Sequence, residues 1–163
     1  GATALGWCVP QFSFVGPAHP ARLRLTLDAA GVIQQEAHAL PSRIDTWRVG
    51  LSDLRLDSGD PWLRLKSSAR ATYDSARASL PDGLDEVILL NERDEVCDGT
   101  ITTVFFDRGD GLRTPPLSSG VLPGVLRAFL ACPEEVLLAR DLPNVRIWLG
   151  NALRGLRPAR RGW

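Results

Sequence analysis

The chain has 163 residues, 44% of them hydrophobic, and its 19 Lys and Arg residues balance 19 Asp and Glu residues. The length suits one domain, or one domain plus a fragment, and without a basic excess neither nucleic acid nor an anionic membrane is an expected partner. Cys8, Cys97 and Cys132 form no CxxC pair, and His19 and His38 lack metal-ligand spacing, so neither a disulfide framework nor a metal site is expected. No apolar run approaches the roughly 20 residues of a membrane span, and no signal peptide is visible, so we expect a soluble cytoplasmic protein.

The first half of the chain is predicted to contain short strands followed by one helix. Apolar and polar residues alternate from Arg22 to Leu27, which indicates a strand because successive strand side chains point to opposite faces. Apolar and small residues recurring at helical spacing indicate the helix, which Pro81 and Gly83 end. In order, we predict an irregular stretch over 1–20, strands at 22–27 and 32–40 joined by a turn at 28–31, a strand within 46–54, a loop at 57–61, and a helix over about 63–80.

The second half changes to strand periodicity with one more helix. We predict strands at 86–90, 95–97, 101–106, 112–114 and 145–149, turns at 91–94 and 108–111, and a helix from Pro123-Gly124 to about Ala131. Pro123 suits a first helical turn because its missing N–H is not needed there. A cluster of C-terminal arginines is interpreted as a solvated basic end, since no aromatic residues are interleaved with it. These are Arg154, Arg157, Arg160 and Arg161.

This order of elements predicts an α+β or mixed α/β fold with a barrel-like core. Short strands mixed with two helices do not match a doubly wound sheet, and no Rossmann or P-loop glycine pattern is present.

Lys66 is the single lysine among the 19 basic residues. Arginine stays protonated at any working pH, whereas a lysine amine can lose its proton and form a Schiff base with an aldehyde or ketone. Lys66 is therefore either a survivor of compositional drift or a residue used for amine chemistry, and the residues around it decide between the two interpretations.

Four motifs between about residues 62 and 158 resemble, in order and spacing, those of class IV aminotransferases, the pyridoxal-phosphate enzymes of fold type IV. They are Arg64–Tyr73 around the lysine, Asn91–Phe105 with Asp98-Gly99-Thr100-Ile101-Thr102-Thr103, Thr114–Arg127 with Gly120-Val121-Leu122-Pro123-Gly124, and Leu149–Gly155 with Asn151-Ala152-Leu153-Arg154. Within the class, the first and last motifs are most similar to those of 4-amino-4-deoxychorismate lyases.

The resemblance implies the α+β PLP fold type IV, also called D-amino-acid aminotransferase-like. Residues 53–163 would form its C-terminal, mixed barrel-like PLP-binding domain, and residues 1–52 would be a remnant of the N-terminal small α/β domain and linker. The family's arginine that clamps the cofactor phosphate belongs to a part of the small domain that precedes this sequence, so we expect that segment to be missing. The resemblance also implies a homodimer with the site near the subunit interface.

The resemblance implies a role for each candidate residue around pyridoxal 5′-phosphate. Lys66 would hold the cofactor as a Schiff base and then move the reacting proton, and Asp98, where the family has glutamate, would bind the pyridine nitrogen. If the predicted helix holds, Arg70 and Tyr73 share its face with Lys66 and could contact the ring oxygen or a substrate carboxylate. The remaining candidates are Val125 and Leu126, whose N–H groups at a helix start would bind phosphate, Asn151 and Ala152 beside them, and Thr103 at the family's asparagine position.

Three functions stay open at this point. The first is a lyase of folate biosynthesis that eliminates pyruvate from 4-amino-4-deoxychorismate and leaves 4-aminobenzoate. The second is a class IV aminotransferase acting on branched-chain or D-amino acids. The third is a non-catalytic relative, suggested by the departures at Asp98, Thr103 and Ala152 and by the missing N-terminal segment.

Overall fold

The computed structural model describes residues 1–14 and 16–163, and the chain divides into two compact units, 1–43 and 44–163. The smaller unit contains a 3-10 turn at Ala2–Leu5 and an antiparallel hairpin of β1 (Arg22–Leu27) and β2 (Ile33–His38). The predicted hairpin is confirmed, and Asp28 shapes its turn because the carboxylate accepts the N–H groups of Ala30 and Val32, each at 2.9 Å. No described residue of this unit is buried, so the hairpin has no core of its own.

The larger unit is built on a sheet that closes on itself. Its strands are β3 (Trp47–Leu56), β4 (Glu86–Asn91), β5 (Val96–Gly99), β6 (Thr103–Asp107), β7 (Leu112–Arg113), β8 (Arg146–Asn151) and β9 (Gly155–Arg161). They lie in the order β5-β4-β3-β9-β8-β6-β7, and β5 also pairs with β6, so six of them form a barrel. β3 runs parallel to β4 and β9 and the remaining pairs are antiparallel, so the predicted mixed, barrel-like core is confirmed.

Two short helices and three 3-10 turns connect the strands. They are α1 (Ala71–Ala78) and α2 (Val125–Leu130), with 3-10 turns at Pro61–Arg64, Leu117–Ser119 and Ala139–Asn144. β4 is buried at every position because it packs on both faces. Ile88 and Leu90 join one core cluster, and Val87 and Leu89 join a second one that includes Ala76 of α1. Neither α1, α2 nor any other described helix has the length and apolar character to cross a membrane.

The boundary between the two units falls after residue 43. β3 therefore belongs entirely to the larger unit, whereas the predicted boundary after residue 52 crosses this strand. The interpretation of 1–52 as a remnant small domain and of 53–163 as the cofactor-binding domain stays a prediction.

The helix predicted over about 63–80 is wrong in its first half. A 3-10 turn at Pro61–Arg64 comes first. The Ser67 hydroxyl then accepts the N–H of Ala69 at 3.2 Å, a local bond that competes with helical hydrogen bonding. The helix therefore begins only with α1, and Lys66 lies before it rather than on its face.

The C-terminal arginines, predicted to form a solvated end, lie on or beside β9. This strand pairs antiparallel with β8 and parallel with β3, so it is part of the barrel although Arg160 and Arg161 are exposed. The sequence does not predict β9, because strand prediction depends on β-branched and aromatic residues and this segment contains arginines and Pro158 instead.

Candidate functional site

Lys66 lies on residues 65–70, the lysine segment, which leads from the 3-10 turn at Pro61–Arg64 into α1. Although much of the residue is exposed, partial burial of its amine lowers its pKa, the charge of Arg70 lowers it further, and Asp98 opposes both. A lysine with a lowered pKa is more often unprotonated and therefore more nucleophilic. The structure thus brings Lys66 within electrostatic reach of Arg70 and Asp98, two other predicted site residues.

Arg70 ties the end of the lysine segment to residues 99–102, the 99–102 turn. Its Nη2 donates to the carbonyl oxygen of Thr100 at 2.7 Å, and its Nε donates to Asp74 at 2.7 Å. Arg70 is the residue that precedes α1, and its guanidinium lies 5.4 Å from the centre of the Tyr73 ring. The prediction that Lys66, Arg70 and Tyr73 share one helix face is therefore wrong. Instead, Arg70 contacts Tyr73 at the start of α1, and the charge of Arg70 reaches the amine of Lys66.

Tyr73 and Asp98 each carry a buried oxygen without a hydrogen-bond partner among the described residues, the Tyr73 Oη and the Asp98 Oδ1. The other Asp98 oxygen, Oδ2, accepts the N–H of Leu122 at 2.8 Å. The pKa of Tyr73 is raised by burial and by the charge of Asp98, so the hydroxyl keeps its proton. Since an unpartnered buried polar atom costs free energy, both oxygens are available to a ligand.

Asp98 is only 4% exposed, and burial raises its pKa to about 7. The N–H of Leu122 and the charges of Arg127 and Lys66 lower this pKa, while the charge of Glu86 raises it. The carboxyl therefore changes protonation near neutral pH, and a cationic group that contacts Oδ1 would favour the carboxylate.

Thr103 joins the strands that carry the site. On β6, it pairs with Asp98 of β5 and with Gly150 of β8. Its Oγ1 would lie 3.5 Å from a Cβ built on Gly124, so it also meets the start of α2. A Cβ on Gly150 would lie 2.4 Å from the backbone oxygen of Gly155, so glycine is needed where β8 approaches β9, and Cδ2 of Leu126 in α2 lies 2.8 Å from the same point.

Asn151 organises the turn after β8. Its Nδ2 donates to the carbonyl oxygen of Ile101 at 2.9 Å, and its Oδ1 accepts the N–H groups of Leu153 and Arg154. Ala152 is exposed in that turn. Because its methyl side chain has no donor or acceptor, only its backbone can bind a ligand by hydrogen bonds. The contact with Ile101 places the Asn151 turn against the 99–102 turn.

Val125 and Leu126 form the first turn of α2, which follows Gly124 as its N-cap. The sequence predicts Pro123 in the first helical turn, but Pro123 lies before the N-cap. Val125 is 73% exposed, whereas Leu126 packs against β8. Their main-chain groups lie next to Thr103 through Gly124, and their binding of a phosphate stays a prediction.

Glu86 adjoins the site and is not singled out by sequence reasoning. Its side chain is 0% exposed, and it accepts the N–H groups of Thr100 at 3.0 Å and Ile101 at 3.1 Å, both in the 99–102 turn. The available signal is a lone carboxylate that opens an otherwise apolar strand, since a fully buried Glu is rare unless it is paired.

Two surface depressions, of 370 Å³ and 240 Å³, are lined by β8 and β9 and by residues around α2, and neither includes Lys66 or Asp98. The convergence of an amine, a buried carboxyl and a buried phenol is the stronger indication of chemistry. Within the described ranges, no group of three or more His, Cys, Asp and Glu side chains could hold a metal ion.

The converging groups fit the cofactor that the resemblance implies. Pyridoxal 5′-phosphate needs an amine for its aldehyde and an acid against its ring nitrogen, and its ring oxygen can accept a hydrogen bond. Lys66, the Asp98 Oδ1 and the Tyr73 Oη can supply these contacts, and within the described part of the chain the two oxygens have no other hydrogen-bond partner.

Comparison with known proteins identifies the family that the sequence resembles. The sequence matches the family model described as amino-transferase class IV over residues 14–161. A protein from Mesorhizobium loti described as an amino-acid aminotransferase is similar in structure, with 42% identity and a TM-score of 0.82 over 86% of this chain and 72% of that one. None of the curated proteins matches the sequence.

Two further solved structures share the fold. One is described as a branched-chain amino acid aminotransferase from Thermotoga maritima, with 26% identity and a TM-score of 0.75 over 86% of this chain and 56% of that chain. The other is the 4-amino-4-deoxychorismate lyase from Pseudomonas aeruginosa, with 22% identity and a TM-score of 0.70 over 78% of this chain and 53% of that chain. This chain thus spans little more than half the length of either.

Proposed function

The chain belongs to the class IV aminotransferase family, and from this premise we propose that it binds pyridoxal 5′-phosphate through Lys66 and acts on the amine of a small molecule. The family is PLP-dependent. The observation that carries the proposal is the pair of buried, unpartnered oxygens, the Tyr73 Oη and the Asp98 Oδ1, both within electrostatic reach of one another.

Each of these side chains has a binding task. The amine of Lys66 would hold the cofactor aldehyde covalently. The Asp98 carboxylate, held through Oδ2 by the N–H of Leu122, would accept a hydrogen bond from the protonated ring nitrogen at Oδ1. The Tyr73 hydroxyl would donate to the ring oxygen. Main-chain N–H groups of Val125, Leu126 and Ala152 would bind the phosphate, with Asn151 and Thr103 holding the surrounding turns.

Proton transfer is the second task of Lys66. When bound, the cofactor supplies an electron sink for negative charge on the substrate carbon that bears the amine. Displaced from the cofactor by the substrate amine, the Lys66 Nζ would accept the proton from that carbon. Its lowered pKa favours this step because a neutral amine is the form that acts as a base. Asp98, as a carboxylate, would keep the ring nitrogen protonated meanwhile.

For the substrate we propose 4-amino-4-deoxychorismate, as in folate biosynthesis. Loss of the proton on the amine-bearing carbon and cleavage of the ring carbon–oxygen bond release pyruvate, and the ring becomes aromatic as 4-aminobenzoate. The support is the resemblance of the Lys66–Tyr73 and Asn151–Gly155 motifs to those of the lyases. Arg70 and Asn151, one from each motif, both donate to carbonyl oxygens of the 99–102 turn.

An aminotransferase is the second candidate, favoured by a different observation. The Mesorhizobium loti protein at 42% identity is described as an amino-acid aminotransferase, whereas the likeness to the lyase from Pseudomonas aeruginosa, at 22% identity, shows the fold alone. An aminotransferase would pass the amine to a keto acid, which the lyase does not need.

The test combines a spectrum with product analysis. The purified protein is titrated with pyridoxal 5′-phosphate, reduced with borohydride and analysed by peptide mass spectrometry beside Lys66→Ala. We expect a visible absorption band and a reduced adduct on Lys66 that the variant lacks. Pyruvate released from 4-amino-4-deoxychorismate without a keto acid supports the lyase, and amine transfer that requires a keto acid supports the aminotransferase. Absence of both band and adduct at saturating cofactor would contradict the proposal and leave a non-catalytic relative.

A further inference from the structure

Glu86 is the most thoroughly hydrogen-bonded carboxylate near the site, although it touches none of the proposed cofactor contacts. It is 0% exposed at the start of β4. Its Oε1 accepts from the N–H of Thr100 at 3.0 Å and from the Thr100 hydroxyl at 2.5 Å. Its Oε2 accepts from the N–H of Ile101 and the hydroxyl of Thr102, each at 3.1 Å. Both oxygens thus face the 99–102 turn.

The 99–102 turn has two sides with opposite tasks. Its N–H groups at Thr100 and Ile101 point to Glu86, while the carbonyl oxygens of the same two residues accept from Arg70 at 2.7 Å and Asn151 at 2.9 Å. The C=O of Thr100 and the N–H of Ile101 belong to one trans peptide group and point to opposite sides of it, so the bond from the Ile101 N–H to Glu86 also directs the Thr100 carbonyl towards Arg70. The turn therefore connects the lysine segment, through Arg70, to the turn after β8, through Asn151.

The two ends of the 99–102 turn carry site residues as well. Asp98 precedes it and Thr103 follows it, and the two are paired in the β5–β6 ladder. Gly99 is required at the start because a Cβ there would lie 2.9 Å from Cγ and Cδ of Glu86 and 2.3 Å from Oγ1 of Thr102. The close seating of Glu86 under the turn thus sets the place from which Asp98 projects.

We propose that Glu86 is a positioning residue of the site, which holds the 99–102 turn from below and thereby sets the placement of Asp98, Thr103, Arg70 and Asn151. Its role towards the cofactor rests on the proposed function, whereas its hold on Asp98 does not. Glu86 also acts on Asp98 through its charge, which raises the Asp98 pKa against the opposing effects of Arg127 and Lys66. Tyr73 and Cys97 are the other titratable groups coupled to Asp98.

The experiment compares Glu86→Gln with Asp85→Asn in the cofactor-free protein. Both changes remove one negative charge at adjacent positions, but Asp85 faces Arg48 instead of the turn, at 3.0 Å. In Glu86→Gln, an NH2 group replaces one of the two carboxylate oxygens. This group is a donor, so the N–H of either Thr100 or Ile101 loses its acceptor. The readout is the carboxyl carbon of Asp98, followed by NMR as a function of pH.

We expect the Asp98 titration midpoint to fall by about 0.5 pH unit or more in Glu86→Gln, because a nearby like charge is removed, and to stay unchanged in Asp85→Asn. We also expect about tenfold weaker binding of pyridoxal 5′-phosphate in Glu86→Gln, the size of effect expected when buried donors lose their acceptor. An unchanged Asp98 midpoint in Glu86→Gln, or an equal shift in Asp85→Asn, would overturn the proposal. Failure of the wild type to bind the cofactor would count against the proposed function alone, since the Asp98 titration does not use it.

A milder variant covers the case in which Glu86→Gln does not fold. Thr102→Val keeps the shape of a buried side chain and removes one hydroxyl donor to Oε2. We expect pyridoxal 5′-phosphate to bind about two- to fivefold more weakly, in line with the loss of one hydrogen bond to a charged group. Wild-type affinity in a folded Thr102→Val protein would then overturn the proposal.

Discussion

The lysine segment and the 99–102 turn are held in opposite ways. The lysine segment has few internal hydrogen bonds, such as those of Ala69 and Arg70 to Ser67 and Ser68, and Lys66 is largely exposed. In the 99–102 turn, by contrast, four donors bond to the buried carboxylate of Glu86: the N–H and the hydroxyl of Thr100, the N–H of Ile101 and the hydroxyl of Thr102. The chemistry proposed for Lys66 requires an amine that can move between cofactor and substrate, whereas the binding proposed for Asp98 requires a carboxyl that stays in place.

This contrast separates function from stability along the chain. A change at Lys66 removes few packing contacts, so it should alter chemistry and leave folding intact. A change beside the 99–102 turn alters buried polar groups, so it should affect both. The predictions below test that separation, starting with the largest expected effect.

Lys66→Ala should abolish the cofactor adduct completely, because Lys66 is the single lysine of the chain. Since the residue is exposed, the free energy of unfolding should change by less than about 0.5 kcal/mol. Borohydride trapping with mass spectrometry and thermal unfolding of the same samples measure the two effects. Lys66→Arg is the matched control, which keeps the charge and should also form no adduct. A large loss of stability in either variant would contradict the proposed difference between the lysine segment and the 99–102 turn.

Asp98→Asn should weaken cofactor binding by about tenfold or more while stabilising the cofactor-free protein at high pH. The ordinary Asp pKa of 3.8 is raised to about 7 in the folded protein. Between these values the folded chain holds a proton that the unfolded chain has released, so wild-type stability falls as the pH rises through this window. Asparagine carries no charge at any pH and can still accept the N–H of Leu122.

The expected gain of Asp98→Asn over the wild type is therefore on the order of 1–3 kcal/mol at pH 8 and close to zero at pH 3. Chemical unfolding of both cofactor-free proteins at the two pH values measures it. If the stability difference between Asp98→Asn and the wild type is the same at both pH values, burial does not raise the pKa of Asp98. That result would weaken the distinction between the lysine segment and the 99–102 turn.

Tyr73→Phe should leave the stability of the cofactor-free protein unchanged or slightly raised, because the buried hydroxyl has no hydrogen-bond partner among residues 1–14 and 16–163. Cofactor affinity should fall by about three- to tenfold, as expected for one lost hydrogen bond. Spectroscopic titration and thermal unfolding give the two values. If the substitution destabilises the cofactor-free protein by more than about 1 kcal/mol, the hydroxyl has a structural role that the contrast does not allow.

Ala152→Ser should have the smallest effect. It restores a hydroxyl at the position where the resemblance places a phosphate contact, in an exposed turn where stability should change by less than about 0.5 kcal/mol. We expect about two- to threefold tighter binding of pyridoxal 5′-phosphate, the gain of one exposed hydrogen bond. Leu153→Ser, the exposed neighbour, is the control and should not improve binding. Equal effects of both variants would place the phosphate elsewhere.

Much of the fold was predictable from local pattern. The hairpin at Asp28, the buried β4 and the strands around Phe105 and Trp148 follow from alternation, apolar runs and turn residues. The absence of a helix before Ala71 was not predictable, because a hydrogen bond to the Ser67 hydroxyl decides it. The arginine-rich β9 was not predictable either, because pairing with two distant strands decides it.

For the candidate site, the sequence by itself determined the identity of the chemical groups, because motif order and the single lysine identify Lys66, Asp98 and their neighbours. Only the tertiary structure decided how these groups meet. Lys66 is not on the helix face that would have joined it to Arg70, and Arg70 instead binds the carbonyl oxygen of Thr100 in the 99–102 turn. The 99–102 turn is hydrogen-bonded to Glu86, which no local sequence pattern identifies. The burial of Glu86 and its hydrogen bonds to residues far along the chain exist only after the strands have paired.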